Sequence, residues 1–240
     1  MFPLRDNVPS RQFPLVTVFL ILANVIVFLF QVMMGPAVHA VTFRFGVVPA
    51  RLVSLWYDPR VLFTLLSSMY LHGGWMHLLG NMWYLWIFGD NVEDRMGRVR
   101  FFVFYTVSGV LAALLQVAAA PRSPIPMIGA SGAIAGVLGA YLLLYPRARV
   151  ATVVLVFYFI RIIWLPAILV LGGWFLIQLL NGLASLGVMM HTGGVAWWAH
   201  IGGFIAGMIL LPIFRRREQR PPPGFYSLDA DSRADRRLRW

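Results

Sequence analysis

The sequence predicts an all-α membrane protein with six transmembrane helices, and three observations lead to this prediction. Of the 240 residues, 60% are hydrophobic and only 12% are charged, with a mean hydropathy of +0.75, which lies outside the range of water-soluble domains. The apolar residues are gathered into runs close to the roughly 20 residues that a bilayer-spanning helix needs. Arginines cluster between these runs, so the formal net charge of +11 indicates membrane topology and contact with anionic lipid rather than nucleic-acid binding.

The six predicted spans follow from the apolar runs in chain order. The first run is too long for the apolar part of a signal peptide, about 7–15 residues, and is expected to be a membrane helix. Gly73-Gly74 breaks the next run, which sets the start of the second span and leaves residues 35–74 as a long, membrane-associated first loop. Residues 150–162 are also apolar, but Arg161 and Pro166 bracket the junction of this stretch with the fifth span, so it is interpreted as a second membrane-associated loop. The predicted spans are residues 14–34, 75–92, 100–119, 130–145, 163–181 and 198–214.

The positions of the arginines predict the orientation of the chain. Arg clusters follow the second, fourth and sixth spans, which places these ends on one side of the membrane, and the positive-inside rule makes that side cytoplasmic. Residues 1–13 are then a cytoplasmic N-terminal segment and residues 14–214 the membrane domain. Residues 215–240, rich in Arg and Pro, are expected to form a disordered cytoplasmic tail.

Four polar side chains are predicted to lie at one depth in the membrane. Ser131 precedes Arg147 by 16 residues and His200 precedes Arg215 by 15 residues. At about 1.5 Å per residue, both side chains lie roughly 22–24 Å from the cytoplasmic edge, below the outer surface of a core about 30 Å thick. The same count places Asn81 and His77 in this layer.

These residue types suit nucleophilic catalysis. A serine becomes a nucleophile when a base lies within hydrogen-bond reach, and its oxyanion needs donors. Ser131 is therefore the candidate nucleophile and His200 the base, and no acidic residue lies at their depth, which predicts a Ser–His dyad. His77 and Asn81, one helical turn apart, are candidate donors together with the N–H of Ser131. The alternatives are a serine that only packs helices and polar residues that only join them.

The surroundings of the predicted site also have expected roles. Small residues at four-residue spacing, Gly132 and Gly136 in the fourth span and Ala199, Gly203 and Gly207 in the sixth, favour close helix packing. The proline-rich stretch 121–128 is expected to be irregular backbone lining a water-filled cavity, which Ser67-Ser68 helps to line. His72 is expected to line water or to be structural, and His39 and His191 to be ordinary loop residues. No metal or other cofactor is expected, and the absence of cysteine excludes thiolate chemistry.

Taken together, these motifs resemble the rhomboid family of intramembrane serine proteases, over residues 5–214. The matching pieces are His72-x-x-x-x-His77-x-x-x-Asn81, Glu93-Asp94-Arg95-Met96-Gly97, Gly129-Ala130-Ser131-Gly132 and Ala199-His200-Ile201-Gly202-Gly203 followed by Gly207. The resemblance implies a six-helix rhomboid-like bundle in a bacterial inner membrane that cleaves transmembrane protein substrates. It implies that Ser131 is the nucleophile and His200 the base, with His77, Asn81 and Gly129 at the oxyanion. It also implies a lateral gate near the fifth span and a flexible cap, for which Gly182 to Trp197 is suited.

Two departures from the family pattern stand out. The family's first loop carries a Trp-Arg pair, which would fall near Phe63-Thr64 in this chain and is absent. In the family an aromatic residue often follows the nucleophile by four residues, and here that position is occupied by Ala135. The second departure predicts that another side chain packs on His200. Glu93 and Arg95 are expected to form a structural hydrogen-bond network. Two other functions stay open, a non-catalytic rhomboid-like protein that binds membrane clients and a transporter or channel, although the repeats or charged pathway of a transporter are not found.

Overall fold

The computed structural model describes residues 2–156, 159–185 and 195–216, and helices dominate this part of the chain. Two 3-10 turns, Gly35–Ala37 and Ser68–Tyr70, flank the short helices of the first loop. A small antiparallel sheet is formed by β1 (Phe2–Asp6), β2 (Arg149–Val156) and β3 (Phe159–Pro166). The α-helices are α1 (Leu15–Met33), α2 (Val38–Phe45), α3 (Pro49–Ser54), α4 (Pro59–Ser67), α5 (Trp75–Met96), α6 (Arg98–Ala119), α7 (Ser131–Leu144), α8 (Ala167–Ser185) and α9 (Trp197–Phe214).

Among the described helices, α1, α6, α8 and α9 are long and apolar enough to cross a membrane. The protein is therefore a mostly helical membrane protein. Helix α5 has 22 residues but carries several charges in its second half, and α7 is apolar but has only 14 residues. A helix of that length measures about 21 Å, shorter than a hydrocarbon core of about 30 Å. The crossings predicted for α5 and α7 stay predictions.

The all-α prediction was wrong in one respect, because residues 149–156 and 159–166 form the two paired strands of a β-hairpin rather than a loop. Strand β2 pairs with β3 from Arg149↔Pro166 to Val156↔Phe159. Valine and threonine make up five of the eight residues of β2, and isoleucine, phenylalanine and tryptophan make up five of the eight residues of β3. These β-branched and aromatic residues favour extended backbone. The hairpin also satisfies backbone groups without a helix, which an apolar setting demands. As a result, α8 begins at Ala167 and not at residue 163 as predicted.

The N-terminal segment packs onto the helical domain through β1. Strand β1 pairs with β2 on the side opposite β3, with a register shift between Pro3 and Arg5. The indole N–H of Trp83 on α5 donates to the carbonyl of Pro3 at 2.7 Å. Burial raises the pKa of the Asp6 carboxyl, which also accepts a hydrogen bond from the Tyr141 hydroxyl. Residues 2–6 are thus part of the folded domain.

Close backbone contact joins α7 to α9, as the spacing of small residues predicted. A methyl group built onto Gly203 would collide with the carbonyl oxygen of Gly132, and one on Gly207 would collide with that of Gly136. Only glycine allows two helix backbones to come this close. This interface holds the first turns of α7 and α9 side by side.

Glu93 forms the predicted hydrogen-bond network at the end of α5. Its carboxylate accepts hydrogen bonds from the N–H of Val16 at 3.0 Å and from the N–H and hydroxyl of Thr17 at 2.8 and 2.9 Å. These N–H groups belong to the first turn of α1, where the helix itself supplies no acceptor. The negative charge also lies at the positive end of the α1 dipole. Glu93 therefore fixes α1 against α5.

The first loop is joined to the stretch between α6 and α7. Val47 and Met127 exchange two backbone hydrogen bonds, at 3.0 and 2.7 Å, and the N–H of Ala50 donates to the carbonyl of Ser123 at 3.0 Å. The Arg51 guanidinium donates to the carbonyl of Gly46 at 2.9 Å. These bonds anchor the loop, although the Trp-Arg pair of the family is absent from it.

Candidate active site

Ser131 and His200 are in direct contact. Ser131 is the first residue of α7, and His200 lies in the first turn of α9. The Nε2 atom of His200 is 2.8 Å from the Oγ atom of Ser131, across a separation of 69 residues in sequence. The depth count placed both side chains in one layer, and the glycine contacts between α7 and α9 explain how they reach each other.

Helix α8 contacts His200 on the side away from Ser131. The Oε1 atom of Gln178 is 2.7 Å from Nδ1 of His200. The Trp174 ring lies 5.7 Å from the His200 ring, centroid to centroid, at an interplanar angle of 36°. The Trp197 ring meets the imidazole edge-on at 6.4 Å. The prediction that another side chain replaces the aromatic missing at Ala135 is confirmed, because Trp174 packs on the imidazole.

Sequence reasoning missed Gln178. The predicted dyad rests on the absence of an acidic residue at the depth of His200, and it leaves an amide partner out. The signal was nevertheless present, because Gln178 is a polar residue inside an apolar predicted span. Such residues face the interior and pair with other polar groups.

His77 presents a hydrogen-bond donor toward Gly129. The backbone N–H of Gly73 donates to Nδ1 of His77 at 3.3 Å. Because Nδ1 accepts, the proton of the neutral ring is on Nε2. A methyl group built onto Gly129 would lie 2.8 Å from both Nε2 and Cε1 of His77. The ring therefore lies directly beside the backbone that leads into Ser131.

The side-chain amide of Asn81 is a buried hydrogen-bond donor. Its side chain is 8% exposed, and its Nδ2 atom has no hydrogen-bond partner among the described residues. A buried donor without a partner is costly, so an acceptor that reached this atom would be bound favourably. The same Nδ2 atom lies 3.7 Å from the position of a methyl group on Gly129. Asn81 and His77 thus point to one small region in front of Ser131.

Gly129 shapes this region through its backbone conformation. Its φ angle of +125° is one that residues with a side chain rarely adopt. Its N–H donates to the carbonyl of Ser68 at 2.9 Å, so this group is already engaged and is not a free oxyanion donor. The N–H of Ser131 is the backbone donor that remains, because the first N–H groups of a helix lack intrahelical acceptors.

His72 lies behind His77 rather than at the cavity. It is 2% exposed, and its ring centroid is 5.0 Å from that of His77. The Gln31 side chain accepts from the His72 N–H at 3.0 Å and donates to its carbonyl at 3.2 Å. Of the two roles expected for His72, this placement favours the structural one.

A cavity of about 1190 Å³ opens in front of Ser131 and His200. His77 and Asn81 line it, and so does every residue from 121 to 129. The prediction that this proline-rich stretch is irregular backbone along a cavity is therefore confirmed. Ser68 also lines the cavity, whereas the Ser67 hydroxyl donates to the carbonyl of Phe45 at 2.7 Å.

The remaining predicted residues lie apart from this site or outside the described chain. Within the described residues, no group of three or more His, Cys, Asp or Glu side chains could hold a metal ion. His39 is an exposed residue of α2. His191, most of the predicted cap and nearly all of the predicted tail fall outside the described residues.

The arrangement can activate a serine and stabilise an anion. Neutral imidazole at 2.8 Å from a hydroxyl can take its proton. Three donors, on His77, Asn81 and the Ser131 backbone, converge beside Gly129. The α7 N-terminus adds the positive end of its dipole at the same place. This combination is the requirement for acyl transfer through a tetrahedral oxyanion.

Comparison with known proteins identifies the family of this chain. The family model described as Rhomboid domain matches residues 59–217. RHOMBOID-like protein 5 of Arabidopsis thaliana is 28% identical over 209 residues, which cover 81% of this chain and 58% of that protein. Rhomboid-like protease 5 of Toxoplasma gondii is 35% identical over 154 residues, 62% of this chain and 16% of that protein. Rhomboid protein 1, mitochondrial, of Saccharomyces cerevisiae is 28% identical over 150 residues, 61% of this chain and 40% of that protein.

The region of the family match extends from α4 through α9 and so contains Ser131, His200, His77 and Asn81. The chain spans less than two thirds of the length of each of these three relatives. Because the match covers well over half of the chain, and the contact between Ser131 and His200 lies within it, the chain belongs to the rhomboid family.

Proposed function

We propose that this protein is an intramembrane serine endopeptidase that uses a Ser131–His200 dyad. The observation that carries the proposal is the 2.8 Å contact between His200 Nε2 and Ser131 Oγ, at the wall of a cavity of about 1190 Å³. A packing serine needs neither the histidine nor the cavity. The similarity to Rhomboid-like protease 5 of Toxoplasma gondii supports the same activity class.

The reaction proceeds in two halves. Ser131 Oγ attacks the scissile carbonyl as His200 Nε2 takes its proton, and the oxyanion is stabilised by the Nε2–H of His77, the Nδ2 of Asn81 and the N–H of Ser131. His200 then protonates the leaving amine, and the peptide bond breaks to leave an acyl enzyme on Ser131. Water from the cavity loses a proton to His200 and attacks the ester carbonyl. His200 then returns this proton to the Oγ atom of Ser131 as the ester bond breaks, which releases the carboxyl product and restores Ser131. No cofactor takes part in these steps.

The proposed topology has six crossings with both termini in the cytoplasm. The Arg clusters after α5, α7 and α9 support this orientation through the positive-inside rule. Helices α7 and α9 then begin near the outer face, and the short α7 places Ser131 below that surface. We assign the protein to the bacterial inner membrane by resemblance to bacterial members of the family.

The substrates are transmembrane segments of membrane proteins, cut near their outer ends. A helix hides its carbonyl carbons, so a segment has to unwind before Ser131 can reach one. Helix-breaking residues and small side chains at the cut are therefore expected to speed cleavage. Replacing them with leucine in a test substrate should slow it.

The deciding experiment is cleavage in liposomes. Purified wild type, Ser131→Ala and His200→Ala are each incubated with a transmembrane substrate, and the products are measured by mass spectrometry. Wild type should cleave, both variants should fall to background, and a fluorophosphonate should label wild type but not Ser131→Ala. Equal cleavage by wild type and Ser131→Ala refutes the proposal, and substrate binding without cleavage by wild type identifies a client-binding protein instead.

A further inference from the structure

The base of the proposed dyad is contacted on its far side by two residues of one helix. Gln178 accepts at Nδ1 of His200 from 2.7 Å, and Trp174 packs on the ring at 5.7 Å. They are four residues apart on α8 and therefore share a face. Gln178 is only 6% exposed, so water does not compete for its amide.

The proton on His200 has to be placed correctly for catalysis. Nε2 can accept the Ser131 proton only when the neutral ring carries its proton on Nδ1. A buried Nδ1–H needs an acceptor, and a carboxylate fills this place in the common serine triad. Here the amide oxygen of Gln178 lies within hydrogen-bond distance of Nδ1, and an amide oxygen accepts but does not donate.

We propose that Gln178 is a positioning residue, which fixes the tautomer and the ring orientation of His200, and that Trp174 stabilises the imidazolium that forms during the reaction. The proposal rests on the protease function above. A carboxylate performs both tasks at once, but it is costly to bury in a membrane. The amide fixes the proton without a charge, and the indole face attracts the transient cation from within about 6 Å.

The orientation of His200 depends on the position of α8, whereas the contact between His200 and Ser131 does not. Ser131 and His200 belong to α7 and α9, whose backbones are held together by Gly203 and Gly207. The support of the base comes from α8, which is not part of that glycine contact. An outward shift of α8 would leave the nucleophile beside the base but remove the groups that orient the base.

The test compares three single variants in liposomes. Gln178→Met keeps the chain length and loses the acceptor, so we expect kcat to fall about 10- to 100-fold with KM nearly unchanged. Gln178→Glu keeps an oxygen acceptor in either protonation state and should restore much of that loss. Asn181→Leu is the matched control, since it removes an amide from the next turn of α8 that bonds only to the Ile177 carbonyl among the described residues.

A spectroscopic measurement separates positioning from general stability. In ¹⁵N-histidine-labelled protein, the His200 signal, assigned by its loss in His200→Ala, should show a protonated Nδ1 in wild type and a mixture of tautomers in Gln178→Met. Wild-type kcat in Gln178→Met, no recovery in Gln178→Glu, or an unprotonated Nδ1 in wild type would each overturn the proposal. Failure of the protease function is a different result, namely cleavage by Ser131→Ala.

Discussion

One added methyl group at Gly129 is expected to disable the site while leaving the nucleophile and the base untouched. Gly129 has a φ angle of +125°, and a Cβ atom there would lie 2.8 Å from Nε2 and Cε1 of His77. Gly129→Ala therefore acts on the proposed oxyanion donor. The contact between Ser131 and His200 depends on the packing of α7 against α9, so it should persist.

The size of the effect follows from the geometry. Carbon atoms pack at about 3.5–4.0 Å, so a contact at 2.8 Å forces the imidazole of His77 to move by roughly 0.7–1.2 Å. A misplacement near 1 Å at a reacting centre costs about 100-fold in rate. The unfavourable φ angle costs a further 1–3 kcal/mol or so of stability. We expect kcat to fall about 100-fold with little change in KM.

Kinetics in liposomes with a double-mutant cycle test this reasoning. If Gly129→Ala acts by displacing His77, its effect on kcat should largely disappear in the His77→Ala background. Gly172→Ala is the control, because a Cβ atom at this helical glycine of α8 meets nothing within 4 Å. A kcat within threefold of wild type in Gly129→Ala, or full additivity with His77→Ala, would refute it.

Three further variants test separate parts of the structure. Asn81→Ala removes a buried donor that has no partner among the described residues, so kcat should fall about 100- to 1000-fold at an unchanged unfolding temperature; an unchanged kcat would count against an oxyanion role. Glu93→Leu removes three hydrogen bonds from the start of α1, and should cost about 2 kcal/mol of stability with kcat intact; equal stability to wild type would contradict this. Because burial raises the pKa of Asp6 above 3.8, the stability that Asp6 contributes at low pH is lost as pH rises through its folded-state pKa. Asp6→Asn, which keeps an acceptor for Tyr141, should therefore be more stable than wild type at neutral pH, and this advantage should vanish in acid.

The depth of the polar residues in the membrane could be predicted, because the end of each spanning helix lies at a known membrane surface and the rise per residue is constant. Ser131 and His200 were assigned to one layer by counting residues to the next arginines, and the structure brings them to 2.8 Å. The glycine spacing gave the second piece of information, since it indicated which helices touch closely. Depth and interface together nearly determine a contact, even across 69 residues.

The hairpin and the role of Gln178 could not be predicted by the same means. Residues 149–166 lack a clear period, because both faces of β2 and β3 carry apolar side chains, so a loop and a strand pair look alike in the sequence. Gln178 lies in an apolar helix whose rotation about its own axis the sequence does not fix. Depth alone did not reveal that its amide faces His200.

The three parts of the proposed site depend on different helices, and this makes their contributions separable. The distance between nucleophile and base is set by the glycines of α7 and α9, the oxyanion donors by α5 and Gly129, and the proton on His200 by α8. A substitution that separates α7 from α9 should abolish fluorophosphonate labelling, because Ser131 loses its base. Loss of a donor side chain on α5 should lower kcat with the His200 tautomer unchanged. Loss of the Gln178 amide on α8 should instead alter the tautomer itself. If variants in all three parts instead lost activity in proportion to lost stability, the site would be no more than a well-packed core, and the assignment of separate roles would fail.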